Sequence, residues 1–560
     1  MMADVARLSC ETKDERRMEQ TIIADIDRMT LEQQIGQLLI AGFQGTTVSP
    51  EIAELIQRRR LGGIILFARN IREPQQTLEL TSRLQALAKE AGHPYPLLIA
   101  VDQENGVVRR LGQGATVFPG SMAVAATGSP ELEYEIAHAT ARELRALGIN
   151  MNLAPVLDVN NNPANPVIGV RSFGEDPQTV ARYGVAAIQG YQDAGVISCA
   201  KHFPGHGDTI TDSHLALPTI PHTLERLEAV ELVPFRAAIA QGVDSIMMGH
   251  PAFPHLMDSQ NTPATISPRM VRELLRAQMG YDGVVTTDDM EMRAITETVG
   301  TERGVVLALR AGNDLAFVSH RHDRQTGALD AVRAAVASGE LPEEVVRQAI
   351  GRVLRLKARR LSWEGVEGER TPLSVGAEER QRLAERGYAR SVTLVRDDQR
   401  LLPLRLAPQQ RALVLYPLRE SLTGVEDNRF PEGFMAASIR RRHPNTEALP
   451  VSLRPDADER ERLASHAAAA DVAVVATMNA NLYPEQAELV RRLLLDGRAV
   501  IGIAVRNPYD LLAFPDLPTY LATYEYTPGA VEAAASVLFG EIAPAGRLPV
   551  SLPELYVRGW

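Results

Sequence analysis

Short, apolar, β-branched runs recur through about the first 320 residues, and stretches with helical spacing separate them. This alternation signifies parallel strands buried on both faces, crossed by amphipathic helices. Several runs end in an ionisable side chain, as the carboxyl ends of barrel strands do where they face a site. After about residue 355 the pattern breaks and a second strand–helix series begins. The predicted class is therefore α/β: a (β/α)8 TIM-type barrel followed by a smaller C-terminal α/β sandwich domain.

The strand candidates of the first series are GGIILF (62–67), PLLIAVD (96–102), INMNLAPVLDV (149–159), GVISCAK (195–201), DSIMMGH (244–250), GVVTTDD (283–289) and NDLAFVS (313–319). Helical spacing is clear in residues 132–148 and 223–242. Seven or eight such units fit a closed barrel better than an open doubly wound sheet. The polar strand ends are Asp102, Asp158, Lys201, His250 and Asp288. Residues 356–381 are charged and interrupted by Gly and Pro, which reads as an exposed connection. A helix around 378–391 then leads to strand candidates at 393–397, 411–418, 471–478, 499–505 and 519–526. The expected domains are a catalytic barrel over 1–365, a linker and connecting helix over 366–390, and the sandwich over 391–560.

Composition narrows the function classes. A chain of 560 residues exceeds one ordinary domain. Its net charge of −11 argues against non-specific nucleic-acid binding. Two cysteines, Cys10 and Cys199, exclude a disulfide framework and a thiolate-based zinc site. No apolar run approaches the roughly 18 residues of a membrane span, and the first twenty residues carry no apolar signal-peptide core. A cytoplasmic protein without a membrane partner is the expectation.

The densest chemistry is KHFPGHGDTITDSH, residues 201–214. His202 and His206 have the i, i+4 spacing of a helical metal pair, but Pro204, Gly205 and Gly207 oppose a helix there. No phosphate-loop or serine-elbow motif is present. A satisfied structural loop is one reading, with His206, Asp208 and the two glycines as its scaffold. The other is a proton-carrying dyad, in which the Asp212 carboxylate fixes the His214 imidazole. Its natural opposite lies at the end of GVVTTDD, in the pair Asp288 and Asp289; strand alternation sends one of them inward and the other outward, so the pair supplies one site residue.

These motifs, with DQENGVVRRL and VRSFGEDP upstream and VVTTDDMEM downstream, resemble the β-N-acetylglucosaminidase branch of glycoside hydrolase family 3. The resemblance extends from LEQQIGQLLIAGF to GEIAPAGRLPVSLP, nearly the whole chain. It implies a retaining double displacement, with Asp288 as nucleophile, His214 as acid/base and Asp212 orienting it. It also implies sugar-binding roles for Asp102, Arg110, Arg171, Lys201 and His202, with Asn70 and His250 as weaker candidates for the rim. For Arg171 the alternative is a salt bridge to Glu175 or Asp176. Where the family usually has D-x-E-G-G this chain has Asn105 before Gly106, and Asn tolerates the left-handed turn that motif needs.

The function expected from the resemblance is release of terminal GlcNAc from muropeptide fragments or chitooligosaccharides, as in peptidoglycan recycling, by a monomer or homodimer with no cofactor and no metal. The alternatives are a β-N-acetylglucosaminide phosphorylase on the same fold and a non-catalytic sugar-binding protein. With the dyad already in the barrel, the second domain need not enter the site; a structural role, a part in dimerisation and a place on the rim of the substrate cleft are all open to it.

Overall fold

The computed structural model describes residues 13–257, 261–367, 375–418, 422–424, 426, 430–431, 433–495 and 497–560. Eight parallel strands close into a barrel: β1 (Leu39–Ala41), β2 (Gly63–Leu66), β3 (Leu98–Val101), β4 (Met151–Asn152), β5 (Ile197–Phe203), β6 (Ser245–Met248), β7 (Val284–Asp289) and β8 (Leu315–Val318). Closure is made by β1 on β8, with Leu39 opposite Ala316. The seven expected strands are present. The first, β1, lies inside LEQQIGQLLIAGF, where its three residues follow the short helix Leu31–Gly36 after a gap of two residues. A three-residue strand is too short for alternation to reveal.

The helical stretch at 223–242 is two helices, Leu224–Ala229 and Leu232–Gln241. They part at Val230 and Glu231, where Glu231 turns inward to take the Arg226 guanidinium at 2.9 Å. Pro234 then occupies the first turn of the second helix, where its missing N–H costs nothing.

The second sheet contains β9 (Thr393–Asp397), β10 (Ala412–Pro417), β11 (Thr446–Val451), β12 (Val472–Thr477), β13 (Ala499–Ala504) and β14 (Thr519–Ala522), in the order β11-β10-β12-β13-β14-β9. All pairs are parallel except β14 with β9. Strand β11 had no counterpart in the sequence reading. It is an edge strand whose TEALPV is only half-buried, so it lacks the continuous apolar run of its neighbours. The helix expected around 378–391 is Glu378–Ser391. Of the connection expected over 366–390, residues 368–374 lie outside the described residues.

The two parts share a core. Phe118, Leu132, Ile136, Phe173 and Val180 from the barrel side pack with Tyr388, Val474, Ile501 and Leu521. Met122 and Val170 join Leu413, Tyr520 and Tyr524 in the same way. The loops after β10, β12, β13 and β14 consequently meet loops from the carboxyl face of the barrel. Asn481 donates to Pro163 O at 2.9 Å, and Asn160 to the Tyr509 hydroxyl at 3.0 Å. Ligands of open parallel sheets bind at this edge, and here it is turned toward the barrel's own site face.

At the opposite end of the barrel Lys357 is fully buried. Its amine donates to Gln37 Oε1 at 2.8 Å and Gly62 O at 2.7 Å, with no carboxylate among those partners. Burial pushes the Lys357 pKa down to about 7, whereas an unfolded lysine holds its proton to about 10.4. Between those values the unfolded chain binds more protons than the folded one, so stability rises with pH across the interval. Lys357→Met is expected to flatten that rise, leaving the variant relatively more stable at pH 7 than at pH 10. Thermal unfolding followed over that range checks it; an unchanged pH slope would contradict the buried neutral amine.

Candidate active site

Each site residue comes from the carboxyl end of a barrel strand or the loop after it. Asp102, Glu104 and Arg110 follow β3, and Asp158 and Arg171 follow β4. Lys201 and His202 belong to β5, and Asp288 and Asp289 end β7. A pocket of about 430 Å³ collects Asp102, Glu104, Arg110, Arg171, Lys201, His202, His206, Ser213, His214, Asp288 and Asp289. That volume suits a small ligand.

The floor is a buried ion cluster. Lys201 Nζ lies 2.7 Å from Asp102 Oδ1 and 2.7 Å from Glu104 Oε1. Arg171 grips Glu104 with both prongs, Nε to Oε2 and Nη2 to Oε1, each at 2.8 Å. The side chains of Lys201, Glu104 and Arg171 are 2%, 3% and 4% exposed. Burial opposes the Glu104 charge, yet Arg171 and Lys201 hold its carboxyl far below the ordinary range. Arg171 therefore pairs with neither Glu175 nor Asp176. Glu175 accepts from Ser551 N and Oγ, and Asp176 caps the helix Pro177–Asp193. Geometry favours the farther partner because a planar guanidinium and a carboxylate match in two parallel bonds.

His202 is oriented from behind. Its Nδ1 lies 2.7 Å from Asp158 Oδ2, which leaves Nε2 as the ring nitrogen free for the pocket. The same Asp158 accepts the His206 backbone N–H at 2.7 Å. Gly207 lets the chain pass the β4 loop, since a Cβ there would lie 1.9 Å from Val159 O. Asn162 and His222 both bind Asp208, at 3.0 and 2.9 Å, closing the base of the segment.

Beyond this base the chain runs out as an arm carrying Asp212, Ser213 and His214, with Ile210 and Leu215 exposed on it. Ser213 fastens the arm twice. Its Oγ is 3.1 Å from His206 Nε2, and its carbonyl accepts from Ala294 N at 3.4 Å. Asp212 Oδ1 accepts from His214 N at 2.9 Å and meets His214 Nδ1 at 2.7 Å, so Nε2 is available toward the pocket. Burial alone would lower the His214 pKa; the Asp212 hydrogen bond and charge, with the Asp288 charge, raise it instead.

Asp288 occupies the other side. Burial favours its neutral form, but His250, His202 and His214 and the Asp289 N–H, 2.8 Å from Oδ1, hold its pKa at about 2. These contacts favour the anion near neutral pH. Asp289 reaches the pocket as well, contrary to the expected inward–outward alternation. The β7–β8 register shifts between Thr286 and Asp289, so the two-residue repeat does not hold at the strand end. Asp289 there takes Ser319 N at 3.2 Å and His320 Nε2 at 3.1 Å.

Two weaker candidates fall away from the rim. Asn70 is buried and spends its amide on Phe43 O and Gly45 O. His250 is buried beneath Asp288, its Nδ1 2.7 Å from Thr265 Oγ1 and its Nε2 3.1 Å from Asp289 O. His206 supports the loop as expected but also faces the pocket. The second domain enters the site as well, through Gly424 and Glu426, the latter ion-paired with Arg506. Among the described residues no group of three or more His, Cys, Asp or Glu could hold a metal ion.

The sequence model of the glycosyl hydrolase family 3 N terminal domain matches residues 30–356, the whole span of these strands and loops. The chain belongs to glycoside hydrolase family 3. As a family 3 glycoside hydrolase it is 30% identical over 595 residues to "Beta-hexosaminidase A" of Pseudoalteromonas piscicida, covering 94% of this chain and 97% of that protein. A solved family 3 β-N-acetylglucosaminidase from Paenibacillus sp. str. FPU-7 is 44% identical, with a TM-score of 0.89, over 94% of this chain and 99% of the other. A fungal multi-domain β-N-acetylglucosaminidase gives the same identity and TM-score, and there this hydrolase spans 62% of the longer chain.

Glu104, on the pocket floor, and Asp158, behind His202, are the structural centres of the site that the sequence does not single out. Glu104 stands in the DQEN motif and Asp158 at a polar strand end, and nothing in the sequence alone assigns either a partner. Removing Glu104 takes from buried Arg171 its carboxylate partner and from buried Lys201 one of two. Glu104→Ala is expected to cost about 3–5 kcal/mol of stability, as for breaking a buried ion pair. Urea unfolding measures it, and a loss below about 1 kcal/mol, the range of an exposed pair, would contradict the cluster's burial.

Proposed function

We propose that this protein is a retaining exo-β-N-acetylglucosaminidase. Asp288 is the nucleophile, His214 the acid/base and Asp212 the group that orients it. One observation carries the reading: a carboxylate anion and a carboxylate-backed imidazole line the same pocket, above a floor of directed donors and acceptors. The similarity to named β-hexosaminidases and a β-N-acetylglucosaminidase supports the sugar assignment.

In the first half of the reaction Asp288 attacks the anomeric carbon, while His214, protonated at Nε2, gives its proton to the departing oxygen. A covalent glycosyl–aspartate results. In the second half the now neutral His214 takes a proton from water, which attacks the same carbon and releases the sugar. Asp102, Arg110, Arg171, Lys201 and His202 hold the hydroxyls of the terminal residue. The substrates assigned are muropeptide fragments of the cell wall and chitooligosaccharides with terminal GlcNAc, consistent with peptidoglycan recycling in the cytoplasm.

Asp288→Ala is expected to abolish turnover of every substrate. His214→Ala is expected to lose about 10²–10⁴-fold on natural glycosides, the usual contribution of a general acid, and far less on aryl glycosides with activated leaving groups. Equal losses on both would contradict the acid role. Product identification in phosphate buffer separates hydrolysis, which yields free GlcNAc, from phosphorolysis, which yields GlcNAc-1-phosphate.

The pH profile gives a second check. A raised His214 pKa keeps the acid protonated further into the alkaline range, so the falling limb of kcat lies above that of an unperturbed imidazole near 6.5. Asp212→Asn is expected to move that limb to lower pH. A limb that stays in place would assign the titration to another group.

A further inference from the structure

The second domain sends one fully buried carboxylate into the barrel's loop region, and the reaction just described makes no use of it. Glu525 lies just beyond β14 and is 1% exposed. Its Oε2 accepts the Gly120 backbone N–H at 2.8 Å, and its Oε1 accepts the Thr527 hydroxyl at 2.9 Å. Thr523 Oγ1 donates to the Glu525 carbonyl at 3.2 Å, so both the backbone and the side chain of Glu525 are fixed within its own domain.

What the carboxylate touches is the back of a hairpin. Glu104 N donates to Val108 O at 3.0 Å, and Asn105 and Gly106 turn the chain with φ of 70° and 57°. Gly106 N donates to Phe118 O at 3.2 Å. The hairpin tip thus rests on the 118–120 segment with no space between. A Cβ on Gly106 would lie 2.7 Å from Gly120 Cα and 2.9 Å from Glu525 Oε2. Both glycines are required by this approach, and Glu525 closes it from the far side.

The front of the same hairpin is the pocket floor. Glu104 grips Arg171 and Lys201, and Lys201 grips Asp102. Gln103 Oε1 accepts the N–H groups of Arg110 and Leu111 at 2.8 and 3.1 Å, tying the outgoing strand to the incoming one. A displacement at Gly106 or Gly120 is therefore passed to the residues that hold the sugar.

We infer that Glu525 is a positioning residue through which the second domain sets the placement of Glu104 and, with it, of Arg171 and Lys201. This rests on the proposed sugar-binding role of the floor. The contact is backbone-directed, so an isosteric acceptor can replace the carboxylate, whereas a shorter side chain cannot reach Gly120.

The test compares Glu525→Ala, Glu525→Asp and Glu525→Gln in the full chain, with 4-nitrophenyl β-N-acetylglucosaminide as substrate. For Ala and Asp, KM is expected to rise about tenfold or more while kcat falls less than about threefold, the pattern of lost uniform binding. Glu525→Gln is expected to restore KM to within about threefold of wild type. Thermal unfolding, read in parallel, confirms that assays run on folded protein; should the Ala variant not fold, the Asp variant decides. An unchanged KM in a folded Ala or Asp variant overturns the inference, as does a Gln variant as impaired as Ala. Failure of the wild type to cleave the GlcNAc glycoside would count against the proposed function instead. The same KM comparison would then be made with whichever aryl glycoside the wild type cleaves.

Discussion

Lys201 and Arg171 are cations almost without access to water, and two carboxylates, Asp102 and Glu104, balance them. Burying either cation at that depth alone would be strongly unfavourable, because the desolvation cost of an ion far exceeds any single neutral hydrogen bond. Glu104 is the centre: both cations meet on its oxygens. Much of the upper barrel is arranged around this requirement. β5 delivers Lys201, the short helical turn after β4 delivers Arg171, and a hairpin after β3 delivers Glu104. A polar floor so constrained is rigid, and its donors and acceptors face the pocket already oriented.

The second domain belongs to the same construction. Its core is continuous with that of the barrel through Phe118, Phe173, Tyr388 and Ile501. Its strand-end loops lie on the barrel's site loops. Gly424 and Glu426 reach the pocket wall, and Glu525 reaches the hairpin behind it. The sequence expectation that this domain need not enter the site addressed the chemistry alone. The structure gives it a share in the shape.

Much of this was legible in the residues. Continuous apolar runs marked seven barrel strands because parallel strands are buried on both faces, and ionisable strand ends marked the site. Asn105 at the hairpin turn adopts the positive φ that its side chain tolerates. What escaped was short, edge-placed or set by partners distant in sequence. β1 has three residues, and β11 is half-exposed. Arg171 prefers Glu104 to its near neighbours because a carboxylate 67 positions away meets it in two parallel bonds. Asp289 reaches the pocket because a register shift overrides alternation, and no pattern of period two records a bulge.

The arm bearing Asp212 and His214 stands apart from the floor in its support. Its base is nailed down by Asp158, Asn162 and His222, while Ser213 ties its outer part to His206 and Ala294. The carboxylate on β7 and the imidazole on the arm thus rest on different mechanical footings. On the mechanism proposed above, substitutions confined to residues 209–217 would retune His214 as proton donor, and with it the range of leaving groups, without moving the strand that holds Asp288 or the ion cluster of the floor. In such an architecture, tolerance toward the departing half of a substrate can drift over generations while recognition of the retained half stays fixed.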